Sequence, residues 1–189
     1  MNSQNSEKQS WLPQTLLALV MIAIAAAVRI APHPWNFTPI GAMALFSGAV
    51  IRNRRLAFLF PLLSLFVGDI FVGFHKLMPF VYASFAINIA IGLWLRDRRT
   101  VGRISLATFA GAAQFFLVTN FAVWLYFDTF PKTAAGLATC YLTGLPLFGN
   151  TLGSDAIYAA LLFGGYALAE RFMPALRESA PDAAQHSSR

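Results

Sequence analysis

The chain has 189 residues, of which 57% are hydrophobic and 12% are charged, and its formal net charge is +6. Soluble domains carry about 25% charged residues, so the composition predicts an integral membrane protein and excludes a separate soluble domain. All Lys and Arg except Arg29, Lys76 and Lys132 fall in segments that the topology rule places in the cytoplasm, so the positive charge is no sign of nucleic-acid binding.

Six apolar stretches follow one another along the chain. The predicted spans cover residues 14–31, 38–51, 56–74, 80–95, 104–127, and a sixth from near Leu147 to about Phe172. Helices are expected because lipid offers the backbone no hydrogen-bond partner. Polar tails, residues 1–13 and 174–189, flank this single six-helix membrane domain of residues 14–173.

Arginine clusters lie between the spans and set the orientation. They are Arg52, Arg54 and Arg55, then Arg96, Arg98, Arg99 and Arg103, and finally Arg171 and Arg177. Short basic loops stay on the cytoplasmic side, so both termini are cytoplasmic and loops 32–37, 75–79 and 128–146 face outward. We therefore predict an all-α, multi-pass protein of the bacterial cytoplasmic (inner) membrane, with a re-entrant or capping segment in the last outer loop.

Residues 29–42, R-I-A-P-H-P-W-N-F-T-P-I-G-A, form the densest local pattern. Prolines at 32, 34 and 39 forbid a continuous helix and impose a stiff, extended connection. Such a connection can hold Arg29, His33 and Asn36 in fixed positions. Small residues then let the short second span approach other helices closely; they are Gly41, Ala42, Ala44, Gly48 and Ala49.

Ionisable side chains inside the spans indicate a functional site, because inserting each of them near the bilayer centre costs roughly 2.5–3.5 kcal/mol of free energy. Arg29, Asp69, Asn120 and Asp155 are predicted in the outer third of the bilayer. One interpretation is an outward-open pocket in which Arg29 pairs with Asp69 or Asp155. The alternative is a structural ion pair with polar contacts between helices, and Asp155 alone also suits a helix cap.

Aromatic and polar side chains gather at this outer level, which suits a flat, partly apolar ligand. Trp and Tyr also anchor helices at the membrane interface. The candidate substrate-binding residues are Arg29, His33, Trp35, Asn36, Asp69, His75, Tyr82, Asn120, Trp124, Tyr141 and Asp155.

His33, His75 and Cys140 lie one on each outer loop. Imidazole and thiolate bind Co, Ni, Cu or Zn, so these three are the candidate metal ligands. No two of these residues are close in the sequence, so the pattern does not show that they meet. The alternative interpretation is that the histidines order their loops and that the cysteine is a buried apolar residue. We expect no resident cofactor and no catalytic residue.

The size, the six spans and the polar groups beneath outer loops resemble the substrate-binding (S) components of energy-coupling-factor vitamin transporters. The 29–42 motif and G-L-A-T-C-Y-L-T-G-L-P-L-F-G-N-T-L-G-S-D look like a family of small, poorly characterised bacterial membrane proteins thought to be transport-related. The resemblance implies capture of a vitamin or cofactor precursor, with cobalamin one candidate, and release with help from an energising membrane subunit with ATPases.

The expected function is therefore membrane uptake of a small molecule by a non-enzymatic protein in the lipid bilayer. The alternatives are a proton- or cation-coupled secondary transporter using Asp69 and Asp155, an integral-membrane enzyme using the outer-face His and Cys residues, and a scaffold with structural ion pairs only.

Overall fold

The computed structural model describes residues 12–28 and 36–173, and every regular element in these residues is an α-helix. In chain order the helices are α1 Leu12–Val28, α2 Ile40–Val50, α3 Arg54–Val72, α4 Met78–Trp94, α5 Val101–Tyr126 and α6 Ala134–Phe172. The all-α part of the prediction is confirmed.

Short polar side chains set where three of the long helices begin. Asn53 accepts hydrogen bonds from the backbone N–H groups of Arg55 (2.9 Å) and Leu56 at the start of α3. Thr100 and Thr133 do the same for the first turns of α5 and α6. Such caps satisfy N–H groups that the helix itself leaves without a partner.

Helix α2 forms the centre of the bundle. Every residue from Ile40 to Ala49 is buried, and α2 contacts each of the other five helices. It has 11 residues and is therefore only about 16 Å long. The core is thus built around a helix much shorter than most of its neighbours.

Two glycines let α2 and α4 cross with their backbones in contact. The Cα of Gly92 lies 3.0 Å from where a Cβ on Gly48 would stand, and that Cβ would also collide with the carbonyl oxygen of Ile89. A Cβ on Gly92 would likewise collide with the carbonyl oxygen of Leu45. The predicted use of small residues for close approach is confirmed at Gly48.

Helices α5 and α6 form an antiparallel hairpin. The ring of Phe116 on α5 contacts the rings of Tyr141 and Phe148 on α6. In the connection, the ammonium group of Lys132 donates to the carbonyl oxygens of Trp124 and Phe127 and so caps the end of α5.

The last helix is longer than the sequence pattern indicates. Helix α6 has 39 residues and begins at Ala134, so the expected start near Leu147 is wrong. Most of loop 128–146, in which the sequence predicts a re-entrant or capping segment, is instead the first part of this helix. A proline removes one helical hydrogen bond and usually ends a helix, yet Pro146 lies inside α6. The cap at Thr133 and packing against α5 support the helix on the N-terminal side of the proline.

Helices α5 and α6 are long and apolar enough to cross a membrane by length and composition. Three shorter helices or parts of helices are also apolar, at Pro13–Ile24, Ile40–Val50 and Met78–Trp94.

Candidate functional site

The C-terminus of α2 is closed by Arg96, which follows α4. Its guanidinium group donates from Nε to Gly48 O (2.8 Å), from Nη2 to Ile51 O (2.5 Å) and from Nη1 to Arg52 O (3.1 Å). Burial, with Arg54 nearby, lowers the pKa of Arg96, yet a guanidinium keeps its charge in proteins. A cation thus meets the negative end of the helix dipole.

The N-terminus of α2 is closed by a carboxylate from α6. Asp155 is 4% exposed and accepts a hydrogen bond of 3.0 Å from the backbone N–H of Ala42, in the first turn of α2. The carboxylate lies so close to Gly41 that a Cβ there would overlap it. An acidic side chain thus accepts a hydrogen bond at the positive end of the same dipole. Asp155 does cap a helix start, but it is the start of α2.

A gap too narrow for a water molecule surrounds this contact. Asn88, Thr108 and Gly111 line it beside Asp155, which is the one ionisable side chain in the lining. Asp155 forms no salt bridge with any residue that the structure describes. No cation in that part of the chain therefore offsets its charge.

A second set of polar groups connects α4 and α5. The side-chain Nε2 of Gln114 donates to Asn88 Oδ1 and to the backbone oxygen of Ser84, both at 2.9 Å. Asn88 Oδ1 lies 2.7 Å from where a Cβ on Gly111 would stand, so that glycine provides its space. Within the described part of the chain, Ser84 Oγ and Gln114 Oε1 have no hydrogen-bond partner. Buried polar atoms of this kind call for an explanation, such as a bound ligand or water.

Asp69 and Tyr82 meet between α3 and α4. Asp69 is 3% exposed and accepts a hydrogen bond of 2.8 Å from the Tyr82 hydroxyl. Asp69 lies 15 residues after the first residue of α3, which places it about 22 Å along the helix. His75 is exposed in the connection that follows.

Four further candidates lie together on the α5–α6 hairpin. The thiol of Cys140 donates to Asn120 O (3.4 Å), the Tyr141 hydroxyl to Leu117 O (2.9 Å), and Trp124 Nε1 to Pro131 O (2.8 Å). The Asn120 amide donates to Phe116 O of its own helix. These four side chains thus direct donor groups at backbone oxygens of the hairpin and its connection.

The hydrogen bonds of the described residues join the predicted residues in separate groups. Asp69 with Tyr82, the hairpin group and Asp155 occupy three places, and Asn36 is exposed with a positive φ of 59°. Asp155 lies 21 residues into α6, about 32 Å from its start, and so is not near the N-terminal end of that helix, which the sequence predicts to face outward. Arg29, His33 and Trp35 lie outside the described residues.

Among the described residues, the candidate metal ligands do not form a cluster. Within residues 12–28 and 36–173 there is no group of three His, Cys, Asp or Glu side chains that could hold a metal ion. Cys140 is buried against α5, His75 is exposed, and His33 is outside these residues.

Sequence reasoning missed two contributors, Arg96 and Ser84. Arg96 belongs to a cluster that indicates only the topology, and nothing in the local pattern distinguishes it from Arg98. Ser84 is one of several small polar residues in apolar helices. Only its contact with Gln114, which the fold creates, identifies it as part of the polar group between α4 and α5.

Residues 9–176 match the model of a protein family described as "Family of unknown function (DUF6580)". No curated protein and no solved structure matches the chain. The family match covers most of the chain and all six helices.

Removing the acceptor at position 155 should weaken the fold. Asp155→Ala leaves the Ala42 N–H without its partner, which costs about 1–3 kcal/mol of unfolding free energy. Asp155→Asn keeps an acceptor oxygen and should remain close to the unsubstituted protein. Thermal unfolding in detergent measures both, with Asp128→Ala in an exposed loop as control. Equal melting temperatures for Asp155→Ala and Asp128→Ala would refute the capping role.

Proposed function

Because the chain belongs to DUF6580, a family whose description assigns no activity, we propose its function from the geometry. It is a multi-pass membrane protein that binds a small molecule at an outward-facing site and mediates its uptake. All six helices belong to the membrane domain, and both termini are cytoplasmic.

Exposed apolar surface supports a bilayer around the bundle. In the most apolar windows of α5 and α6, only 28% and 33% of the residues are buried inside the protein, whereas the core helix of a soluble protein is mostly buried. Phe71, Leu106 and Leu161 are examples of large side chains more than half exposed. Exposed apolar surface on this scale marks a contact with a membrane or with another protein, and we assign it to the bilayer.

Two contacts between a cation and an aromatic ring fit the two membrane interfaces. Arg103 lies 4.9 Å from the ring centre of Trp94, and Lys132 lies 5.8 Å from that of Trp124. Arg103 and Trp124 are 21 residues apart on α5, which is about 31 Å along the axis. The hydrocarbon core is roughly 30 Å thick, and Trp residues collect at its borders.

The positive-inside rule supplies the orientation. The end of the bundle with Arg52, Arg96, Arg99 and Arg103 carries the arginine clusters, so we assign it to the cytoplasm. The connection containing Lys132 then faces outward.

The observation that carries the proposal is the short central helix. Ala42 lies ten residues before Arg52, or about 15 Å, so α2 begins near the middle of the hydrocarbon layer. Half-helices that start at this depth commonly border substrate sites in transporters. We place the proposed site on the outer side of this start, beside Tyr82 and Ser84 on α4 and Asp69 on α3.

Unsatisfied polar atoms favour ligand binding at this level. Ser84 Oγ and Gln114 Oε1 lack partners in the described part of the chain, and the two residues contact each other between α4 and α5. A ligand with hydrogen-bonding groups would satisfy them. A vitamin or cofactor precursor is our proposed substrate class, with cobalamin one candidate, and an energising subunit with ATPases is the proposed partner.

A second candidate is coupling to protons or another cation, and it is favoured by Asp155. This carboxylate is buried, lines a gap with no other ionisable group, and lies at the start of the half-helix. An acidic side chain inside a membrane domain, with no cationic partner among the described residues, is a group that a proton or a metal cation can neutralise.

Cysteine labelling tests the topology. Cys140→Ser removes the single cysteine, and Asp97→Cys or Asp128→Cys then adds one at an exposed position without removing an arginine. In intact cells a membrane-impermeant maleimide should label position 128 and not position 97. Labelling at 97 before permeabilisation would reverse the proposed orientation.

Ligand binding tests the site. Mass spectrometry of co-purifying molecules and a thermal-shift screen of vitamins and their precursors should identify a ligand. Asp69→Asn and Arg29→Ala should each weaken it about tenfold, or 1.4 kcal/mol, because Asp69 borders the proposed site and the sequence predicts Arg29 as the cation of that site. Thr139→Val is the control, since that hydroxyl bonds its own helix at an exposed position. Unchanged affinity in both site variants would disprove this site.

Transport in proteoliposomes tests the coupling. An imposed proton or sodium gradient should drive uptake by the unsubstituted protein, and Asp155→Asn should lose the gradient dependence while still binding ligand. The substitution removes the titratable carboxyl group, while one oxygen remains that can accept from the Ala42 N–H. Gradient-driven uptake at an undiminished rate in Asp155→Asn would exclude Asp155 as the coupling group.

A further inference from the structure

A polar cleft of about 340 Å³ opens at the basic end of the bundle, far from the proposed outer site. Its lining includes Gln14, Val50, Arg52, Arg96, Arg99 and Glu170. Side chains from α1, the end of α2, the α4–α5 connection and α6 thus surround one space. Ligand pockets begin at roughly 300 Å³, so the cleft is large enough for a small polar group.

Two of the guanidinium groups in this lining are fixed by the fold. Arg96 makes three hydrogen bonds to the end of α2. Arg99 bonds Glu170 through Nη2 at 3.3 Å and lies 5.5 Å from the ring centre of Tyr166. An arginine has five N–H donors, so each of the two retains further N–H groups that a ligand can meet. Both guanidinium groups are held in place before any ligand arrives.

Arg52 is the third guanidinium and the adjustable one. Its backbone oxygen accepts from Arg96, but its exposed side chain forms no hydrogen bond or ion pair with the residues that the structure describes. Replacing this side chain should therefore leave the α2 cap intact.

The charges of the lining favour an anion. Three arginines face two carboxylates, Asp97 and Glu170, and the Glu170 carboxylate is already paired with Arg99. The second carboxylate, Asp97, is exposed and repels an anion. The three arginines and two carboxylates of the described lining together carry a net charge of +1. Guanidinium groups match the geometry of phosphate oxygens.

We propose that this cleft, where the fixed Arg96 and Arg99 face the adjustable Arg52, binds a phosphate group. The source is either the head group of an anionic phospholipid or a phosphate-bearing solute. Basic pockets between helices at the cytoplasmic interface bind lipid head groups in other membrane proteins. The proposal stands independently of the uptake function.

Thermal unfolding of the full-length protein tests it in two arms. The first compares inorganic phosphate with chloride at equal ionic strength in detergent. The second compares nanodiscs of phosphatidylglycerol with nanodiscs of phosphatidylcholine. A higher melting temperature in the first arm identifies a free phosphate group as ligand, and a rise in the second arm alone identifies a lipid head group.

Arg52→Gln should lose most of either rise while melting normally in chloride. Arg55→Gln is the matched control, because it removes the same charge three residues away, outside the lining, and should keep the rise. The proposal is overturned if neither arm stabilises the unsubstituted protein, or if Arg55→Gln loses as much as Arg52→Gln.

Discussion

The central helix α2 is held by one polar side chain at each end. Arg96 meets its last carbonyl groups, and Asp155 meets an N–H group of its first turn. A buried helix end without such partners loses about 1–3 kcal/mol for each unsatisfied group. Because α2 contacts all five other helices, the position of each of them depends on these two caps.

Glycines provide the spaces that fix the interhelical polar groups. The Asp155 carboxylate packs against Gly41, the Asn88 amide against Gly111, and the Asn120 amide against Gly144. In each case a methyl group would occupy the place of the polar side chain. Apolar helices approach closely where a glycine faces them, and here the same geometry positions the hydrogen-bonding groups inside the bundle. The polar interior is therefore specified by small residues as much as by the polar residues themselves.

The sequence predicts the helices well and their contacts poorly, for physical reasons. Long apolar stretches predict helices because nothing else satisfies the backbone in lipid, and Gly48 marks a close approach that the structure confirms. The start of α6 could not be predicted from the pattern, because a proline such as Pro146 usually ends a helix and long-range packing overrides that tendency. The role of Arg96 is equally hidden, since its partners lie more than 40 residues earlier. The sequence does indicate that Asp155 caps the start of a helix. That this helix is α2, more than 100 residues earlier, follows only from the tertiary structure.

The cap at the start of α2 has a consequence for biosynthesis. Asp155 follows Ala42 by 113 residues, so at about 5–20 residues per second the ribosome needs roughly 6–23 s to deliver it. An 11-residue helix is also too short to be retained in a bilayer as an independent segment, which takes about 20 residues. In the proposed membrane location, this segment is therefore sheltered between other helices or at the insertion machinery until α6 emerges. The second of the six described helices is therefore completed only when the sixth has been made, so assembly of this bundle ends after translation of α6.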